Sequence, residues 1–289
     1  MLIGHYRRTS IACAPAIYAD IFNKYTDAQH YVFGPKDTQK IVKPDTTLVH
    51  LHNKYIGNHD KQIIQYHSEP FRVDLSVPDN VIPCVISQYH ATLPEYQHCR
   101  LVRNPVDIYS DEYAPQYVDD KIRIGYSAST PKASSGWADK GYREMKPLLH
   151  RLKRRYKGKI EVDIIVGVPL AECLKRKARC NLFIGEVKTT SYHRTGLESL
   201  GMGIATICRI GGKVEDALFK SSGASCNPFI NVDLSHLPRK LDELIDRGVD
   251  NLLSIGENSR QWMEKHWCPK TISQEYVTLY SEALENTKQ

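Results

Sequence analysis

Short apolar runs of strand length alternate with segments of helical periodicity along most of this chain. The runs at 47–52, 61–67 and 81–90 have the length and composition of buried strands, and residues 14–25 have a helical pattern. Strands that alternate with helices form parallel sheets covered by helices on both faces. The sequence therefore predicts an α/β protein with doubly wound, Rossmann-like sheets.

The alternation starts again after a polar stretch with two prolines at 103–120. Strands are then predicted at 121–129, 160–167, 180–185 and 204–210, and helices at 141–156, 169–178, 259–267 and 272–284. We therefore predict an N-terminal domain over 1–116 and a C-terminal domain over 117–289. The last helix, 272–284, is a candidate to cross back to the first domain. A cleft between two such domains is the expected ligand site.

The composition is that of a soluble globular protein. The 289 residues are 41% hydrophobic and 25% charged, and the eight cysteines are scattered without a C-x-x-C pair. This spacing argues against a cysteine zinc site and against a disulfide framework, and it fits a reducing compartment. The sequence has no apolar run near 18 residues and no leader-like N-terminus, so we expect a cytoplasmic protein without a transmembrane segment.

Positive charge is concentrated in one part of the chain. The whole chain carries a net charge of +6, and residues 143–179 contain twelve Lys and Arg against four Asp and Glu, an excess of +8. Such a region is either a solvated helical face or a contact for phosphates, nucleic acid or an anionic membrane surface.

Three histidines follow buried runs of the first half of the chain. His52, His67 and His90 each fall at the end of a predicted strand. Open α/β sheets place their ligand loops at the carboxyl ends of strands. These histidines therefore either line a polar cleft or are structural side chains with satisfied hydrogen bonds.

The stretch GLESLGMGIATI (196–207) places Glu198 near the start of a glycine-punctuated helix. An acidic residue there can simply complement the helix dipole. It can equally be a ligand-binding group, because a carboxylate is a strong hydrogen-bond acceptor. The stretch alone leaves both interpretations open.

Four stretches in register resemble the GT-B glycosyltransferases of the large retaining class. They are VRNPVDIY (102–109), IRIGYSAS with DKGYREM (122–145), CNLFIGEVKTTSYHRTGLESLGMGIATI (180–207), and the closing region that ends at GENSRQWMEKHW (256–267). The resemblance implies two Rossmann-like domains that face each other across a cleft, with the acceptor bound by the N-terminal domain (1–116) and the nucleotide sugar by the C-terminal domain (117–289). It also implies transfer of a hexosyl or pentosyl group from a nucleotide diphosphate sugar to an acceptor hydroxyl, with retention and without a bound metal.

The same resemblance implies roles for individual residues. Lys140 would stabilise the departing diphosphate, and Glu198 would bind the ribose hydroxyls. The further donor-binding candidates are Ser127, Ser129, Lys132, His193, Arg194, Thr195, Gly196 and Leu197, and the acceptor-side candidates are His5, Arg8 and His90. No cofactor is expected beyond the nucleotide sugar, and no metal ligands are expected, since Asp119 and Asp120 lie in the connection between the domains.

The sequence departs from the family pattern at one informative position. The first Glu of the family's E-x7-E motif is Thr190 here, and Glu186 is out of register. This departure leaves the contacts to the donor sugar and the stereochemistry open. The acceptor is a cell-envelope glycan or lipid-linked sugar, or a hydroxylated base in DNA. A nucleotide-sugar-binding protein without catalysis and a sugar-nucleotide epimerase are the alternative functions.

Overall fold

The computed structural model describes residues 1–7, 14–57, 59–67, 75–116, 120–128 and 140–286. It has two compact units, Met1–Pro105 with Trp267–Gln289, and Val106–His266. The second unit thus begins at Val106, whereas the sequence places the boundary after residue 116. Val106 and Ile108 are buried, and Ile108 packs so closely on Gly201 that a Cβ there would lie 2.9 Å from Ile108 Cγ2. This packing ties the start of the connection to the second unit.

The first unit contains a six-stranded parallel sheet in the order β2-β1-β3-β4-β5-β6. Its strands are β1 (Leu2–Tyr6), β2 (Gln29–Phe33), β3 (Leu48–His52), β4 (Gln62–Tyr66), β5 (Val81–Ile86) and β6 (Arg100–Val102). Its helices are α1 (Ala14–Tyr25) and the C-terminal helix α8 (Pro269–Glu285), with short 3-10 helices at Tyr89–Thr92 and Pro94–Tyr96. Helix α8 therefore belongs to the first unit.

The second unit contains a five-stranded parallel sheet in the order β11-β10-β9-β7-β8. Its strands are β7 (Ile122–Ala128), β8 (Ile160–Val166), β9 (Leu182–Glu186), β10 (Ala205–Cys208) and β11 (Ile230–Asn231). Its helices are α2 (Tyr142–Arg155), α3 (Leu170–Lys177), α4 (His193–Gly201), α5 (Gly212–Ser222), α6 (Leu237–Asp246) and α7 (Gly248–His266), with a 3-10 helix at Asp111–Tyr113. The predicted α/β class with parallel sheets is confirmed.

The buried positions explain why these segments form. All five residues of β3 and all five of β9 are buried, as expected for central parallel strands with both faces covered. Helix α2 buries Met145, Leu148, Leu149 and Leu152, which is the helical spacing in the sequence. No helix in the described ranges is long and apolar enough to cross a bilayer.

Helix α7 begins at Gly248, well before the predicted start at residue 259. It contacts the second sheet through a glycine: a Cβ on Gly256 would lie 2.0 Å from the carbonyl oxygen of Gly203. Gly203 follows α4 with φ +70, a conformation that favours glycine. The backbones of α7 and of the turn after α4 are therefore in direct contact.

Candidate active site

Lys177 and Glu198 form a buried ion pair in the second unit. Lys177 is the last residue of α3, and Glu198 lies in α4. The Lys177 ammonium donates to Glu198 Oε2 over 2.6 Å, and the two side chains are 0% and 5% exposed. Burial raises the pKa of the Glu198 carboxyl, but the positive charges of Lys177 and Arg194 hold it below its ordinary value. Glu198 is therefore a carboxylate at neutral pH.

Both oxygens of this carboxylate accept hydrogen bonds. Arg194, one turn earlier in α4, donates from Nε to Glu198 Oε1 over 3.1 Å. Lys177 also donates to the Thr195 hydroxyl over 2.9 Å, and that hydroxyl lies 3.2 Å from Ser127 Oγ near the end of β7. Lys177 thus connects, directly or through one partner, four residues that the sequence predicts to bind the donor: Ser127, Arg194, Thr195 and Glu198.

Lys140 lies just before α2, in a left-handed conformation with φ 49. Its carbonyl accepts a hydrogen bond from the buried Tyr126 hydroxyl over 3.0 Å. Burial lowers the pKa of the Lys140 ammonium, while the negative charge of Glu186 raises it and Lys177 lowers it. An anion bound beside Lys140 would stabilise its charged form.

Glu186 ends β9 and is completely buried. Its Oε1 accepts the backbone N–H groups of Lys188 and Thr189 over 2.6 and 2.9 Å. Among the residues that the structure describes, its Oε2 has no hydrogen-bond partner, and it lies 3.5 Å from His193 Nε2. Burial raises the pKa of this carboxyl against the opposing effect of these N–H donors. The chain therefore keeps a second carboxylate near α4, although not at position 190.

Backbone strain is concentrated around the same residues. Lys140, Thr190 and His193 have φ values of 49, 59 and 41. Left-handed backbone is costly for residues with a Cβ, and most of all for a β-branched threonine. Such conformations accumulate at ligand sites, where the surrounding structure holds them. The strained residues therefore mark the same region as the buried ion pair.

Packing explains two members of the predicted donor set. A Cβ on Gly196 would lie 3.1 Å from the Phe229 ring and 3.3 Å from Cys208 Sγ, so helix packing requires this glycine. Leu197 is fully buried in the core. Either residue can therefore meet a ligand only through its backbone.

Three predicted site residues, Ser129, Lys132 and Arg8, lie outside the described residues.

The acceptor-side histidines lie in the first unit, and both are fully buried. His90 belongs to the 3-10 helix Tyr89–Thr92 and packs edge-on against Tyr96, with ring centroids 5.8 Å apart. His5 lies in β1 among other imidazoles. Burial lowers the pKa of His50 to about 3 and that of His30 to about 4, and it holds His5 and His52 well below their ordinary value. These rings are neutral at pH 7.

Sequence reasoning missed Lys177 because it belongs to the basic region and looks like part of a solvated face. Ten of the twelve basic residues there are exposed, whereas Lys177 is completely buried. Helix α3 buries Leu174 and Lys177, three positions apart on one face. The available signal in the sequence was the helical spacing that places Lys177 on the same face as the apolar Leu174.

Comparison with known proteins identifies the fold of this chain. No family model matches the sequence, and no curated protein does. Solved structures match along the whole chain. A glycosyltransferase from Rickettsia africae shares 12% identity at a TM-score of 0.65 over 99% of each chain. HepE from Anabaena, in complex with UDP and glucose, shares 12% at 0.62 over 98% of this chain and 100% of that one. Sucrose-phosphate synthase from Thermosynechococcus elongatus shares 10% at 0.61 over 98% of each chain. These likenesses show the GT-B fold of glycosyltransferases, as the sequence predicts.

Proposed function

We propose that this chain is a glycosyltransferase that moves a hexosyl or pentosyl group from a nucleotide diphosphate sugar to an acceptor hydroxyl. The observation that carries the proposal is the hydrogen-bonded network of Ser127, Lys177, Arg194, Thr195 and Glu198 in the second unit. It groups cations, hydroxyls and a helix start, which is what a nucleotide diphosphate requires. The complex of the Anabaena HepE protein with UDP and glucose supports the same ligand class.

In this proposal the diphosphate binds Lys140 and the first turn of α4. The free N–H groups and the positive dipole end of the helix favour an anion there. As the acceptor oxygen replaces the diphosphate at the anomeric carbon, negative charge builds on the departing phosphate. Lys140 then stabilises the transition state more than the ground state, which is the condition for catalysis.

Glu198 is proposed to bind the ribose hydroxyls. Each carboxylate oxygen has two lone pairs, so the bonds from Lys177 and Arg194 leave capacity for a hydroxyl donor. Glu186 is the only acidic residue in the segment 186–193, and its Oε2 makes no hydrogen bond to the described part of the chain. We therefore assign Glu186, rather than position 190, to the hydroxyls of the donor sugar. Retention and independence of a metal ion are part of this proposal.

The test starts with a thermal-shift screen against UDP-, GDP-, ADP- and dTDP-sugars, because a specific ligand raises apparent stability by mass action. The best donor is then assayed for release of its nucleotide diphosphate. Lys140→Ala should lower kcat by about 10²–10³-fold, the usual loss when a transition-state donor is removed. The matched control is Lys146→Ala, an exposed lysine of α2.

Three outcomes would overturn the assignment. Binding without diphosphate release under any acceptor would indicate a binding protein, and interconversion of free nucleotide sugars without an acceptor would indicate an epimerase. If Glu198→Ala left donor affinity unchanged, Glu198 would be removed from the ribose site.

We propose a cell-envelope glycan or a lipid-linked sugar as the acceptor, with a hydroxylated base in DNA as the alternative. The exposed basic residues of the 143–179 region suit either anionic partner. Association with anionic vesicles would favour the first class. Binding to duplex DNA that weakens steeply with salt would favour the second.

A further inference from the structure

One face of the first sheet carries imidazoles on neighbouring strands. His5 of β1 pairs in register with His50 of β3, and His52 is two residues further along the same strand, so the three rings share a face. Helices α1 and α8 cover this face through Tyr18, which meets the rings of His50 and His52 edge-on, and through Tyr280, which meets His50 edge-on. The rings of His5, His50 and His52 are at most 1% exposed. This is a compact cluster of nitrogen ligands inside a protein core.

The nitrogens of the cluster lie at metal-binding distances. One ring nitrogen from each of the three histidines falls within 4.8 Å of the others. His5 Nδ1 and His52 Nε2 are 3.3 Å apart. In a tetrahedral zinc site with bonds of about 2.0–2.1 Å, neighbouring ligand nitrogens are about 3.4 Å apart. Two of the ligands already have this spacing, and one nitrogen of His50 lies within 4.8 Å of a nitrogen of each. Because the rings of His50 and His52 are stacked with centroids 4.4 Å apart, His50 has to turn out of this stack to direct its nitrogen at the same ion.

A hydrogen-bond partner holds the far nitrogen of each ring. His5 Nε2 is 2.9 Å from His30 Nδ1, and His52 Nδ1 is 3.1 Å from His67 Nε2. His50 Nε2 is 3.0 Å from Gln65 Oε1, which leaves its Nδ1 as the ligand atom. Metal-bound histidines nearly always have such partners, which fix the tautomer and the ring orientation.

We propose that His5, His50 and His52 bind a late first-row divalent metal ion, with Zn²⁺ as the expected occupant. Neutral imidazoles are the ligand form of histidine, and a site of nitrogens without carboxylates suits Zn²⁺, Ni²⁺ or Cu²⁺ and disfavours Mg²⁺ and Ca²⁺. The Tyr280 hydroxyl, 3.0 Å from His50 Nδ1, offers an oxygen for a fourth position.

The ion would have a structural role that is separate from sugar transfer. It would cross-link β1 to β3, which are adjacent strands at the centre of the sheet. His5 precedes His50 by 45 positions and His52 by 47, so no short sequence motif contains all three ligands. The competing explanation is a chain of N–H···N bonds between neutral rings, without metal.

The experiment measures metal content and metal-dependent stability of the full chain. Protein is refolded from urea with one equivalent of Zn²⁺, dialysed against metal-free buffer and analysed by mass spectrometry of the elements. One bound Zn²⁺ per chain, a Zn²⁺-dependent rise in Tm and a tetrahedral visible spectrum after Co²⁺ substitution are expected. His52→Asn should lose the bound ion, while His236→Asn, an exposed histidine bonded to Asp233, should keep it.

A second variant provides a test in case His52→Asn fails to fold. His30→Asn removes only the partner of His5 and should weaken Zn²⁺ binding by about 10–100-fold while circular dichroism stays native. The proposal is overturned if the wild type keeps no metal after refolding and dialysis, which would leave the metal-free imidazole chain. Equal Zn²⁺ binding by the wild type and His52→Asn would also overturn it, because the ion would then sit on exposed histidines.

Discussion

The Lys177–Glu198 network of the second unit and the histidine cluster of the first unit bury polar side chains in opposite electrostatic forms. In the network, Glu198 lies within hydrogen-bond distance of both Lys177 and Arg194 and forms an ion pair with each. In the cluster, burial keeps the imidazoles of His5 and His50 uncharged. His5 is hydrogen-bonded to the rings of His30 and His52, and His50 to the Gln65 amide and the Tyr280 hydroxyl. Parallel α/β sheets can therefore bury polar side chains either as ion pairs or as neutral rings.

The difference determines what each unit can respond to. Buried ion pairs are costly to break, because removing one partner leaves an uncompensated charge in a medium of low dielectric constant. Neutral imidazoles instead respond to protons and to metals, since either one changes the charge of the cluster. The charged network therefore suits an anionic substrate, and the neutral cluster suits a structural ion. Four experiments test this contrast between the charged network and the neutral imidazoles.

The largest effect is expected from Lys177→Met, which leaves Glu198 without its buried lysine. Breaking a buried pair in this way costs about 3–5 kcal/mol. Urea-induced unfolding of the variant and the wild type gives the difference directly. Lys175→Met, at an exposed position of the same helix, is the matched control and should change stability by less than about 0.5 kcal/mol. Equal losses of unfolding free energy in the two variants would mean that the charged network contributes nothing to stability.

Acidification should separate the two units by the pH at which each loses stability. In the metal-free chain, His30 and His50 have a folded-state pKa of about 4 and about 3, whereas unfolded histidine binds a proton below about 6.5. Between those values the unfolded state holds more protons, so stability falls as the pH drops, by about 1.4 kcal/mol per pH unit for each imidazole. Glu198, with its lowered pKa, contributes a loss only below about pH 4.3.

Hydrogen exchange from pH 7 to 5 is the appropriate measurement, because it reports each unit by its own peptides. Once exchange chemistry is corrected for pH, protection of β1 and β3 should fall before that of β9 and α4. A parallel decline of both sets would contradict the assignment of neutral rings to the first unit and of ion pairs to the second.

Thr190→Gly should separate stability from function in the second unit. Relief of the left-handed threonine is expected to stabilise the chain by about 1 kcal/mol, while donor binding weakens as the 186–193 segment loses its fixed conformation. Denaturant unfolding and donor titration are measured on the same preparation. Gly211→Ala is the companion variant, because a Cβ there would contact Thr190 at 3.5 Å and leave the backbone unstrained. If Thr190→Gly were less stable than the wild type, the left-handed backbone of Thr190 would not be a source of strain.

The smallest effect on stability is expected at the surface. Arg154→Gln, on the exposed face of α2, should change the free energy of unfolding by less than about 0.5 kcal/mol. The same change should weaken binding to anionic vesicles or DNA, because it removes one charge from the basic region. A larger loss of stability would mean that this face is not solvated.

The sequence predicted the fold better than the site. Long, strongly periodic segments such as α2 and the apolar strand β9 were located correctly, because burial on one or both faces leaves a clear pattern. Strand β2 and helix α6 were missed. Strand β2 is QHYVF and helix α6 is LPRKLDELID, and both mix polar residues into a short apolar pattern.

The site depends on contacts that no local pattern records. Lys177 meets Glu198 across 21 positions, and His5 meets His52 across 47, so neither pair is visible in a window of sequence. Glu198 itself was predicted because it lies in a motif with fixed spacing. Its partner Arg194 lies one turn earlier in the same helix, but the contact with Lys177 comes from a different helix and is not recorded in the motif.

The contact between Gly256 and the carbonyl of Gly203 has a consequence for recognising relatives of this chain. Side chains can be exchanged in pairs as a family diverges, which is why identity can fall to 10–12% among structures of one fold. A contact between two backbones offers no such compensating exchange, because position 256 has room for hydrogen alone. We therefore expect glycine at the positions equivalent to 203 and 256 in distant homologues, even where the surrounding side chains differ.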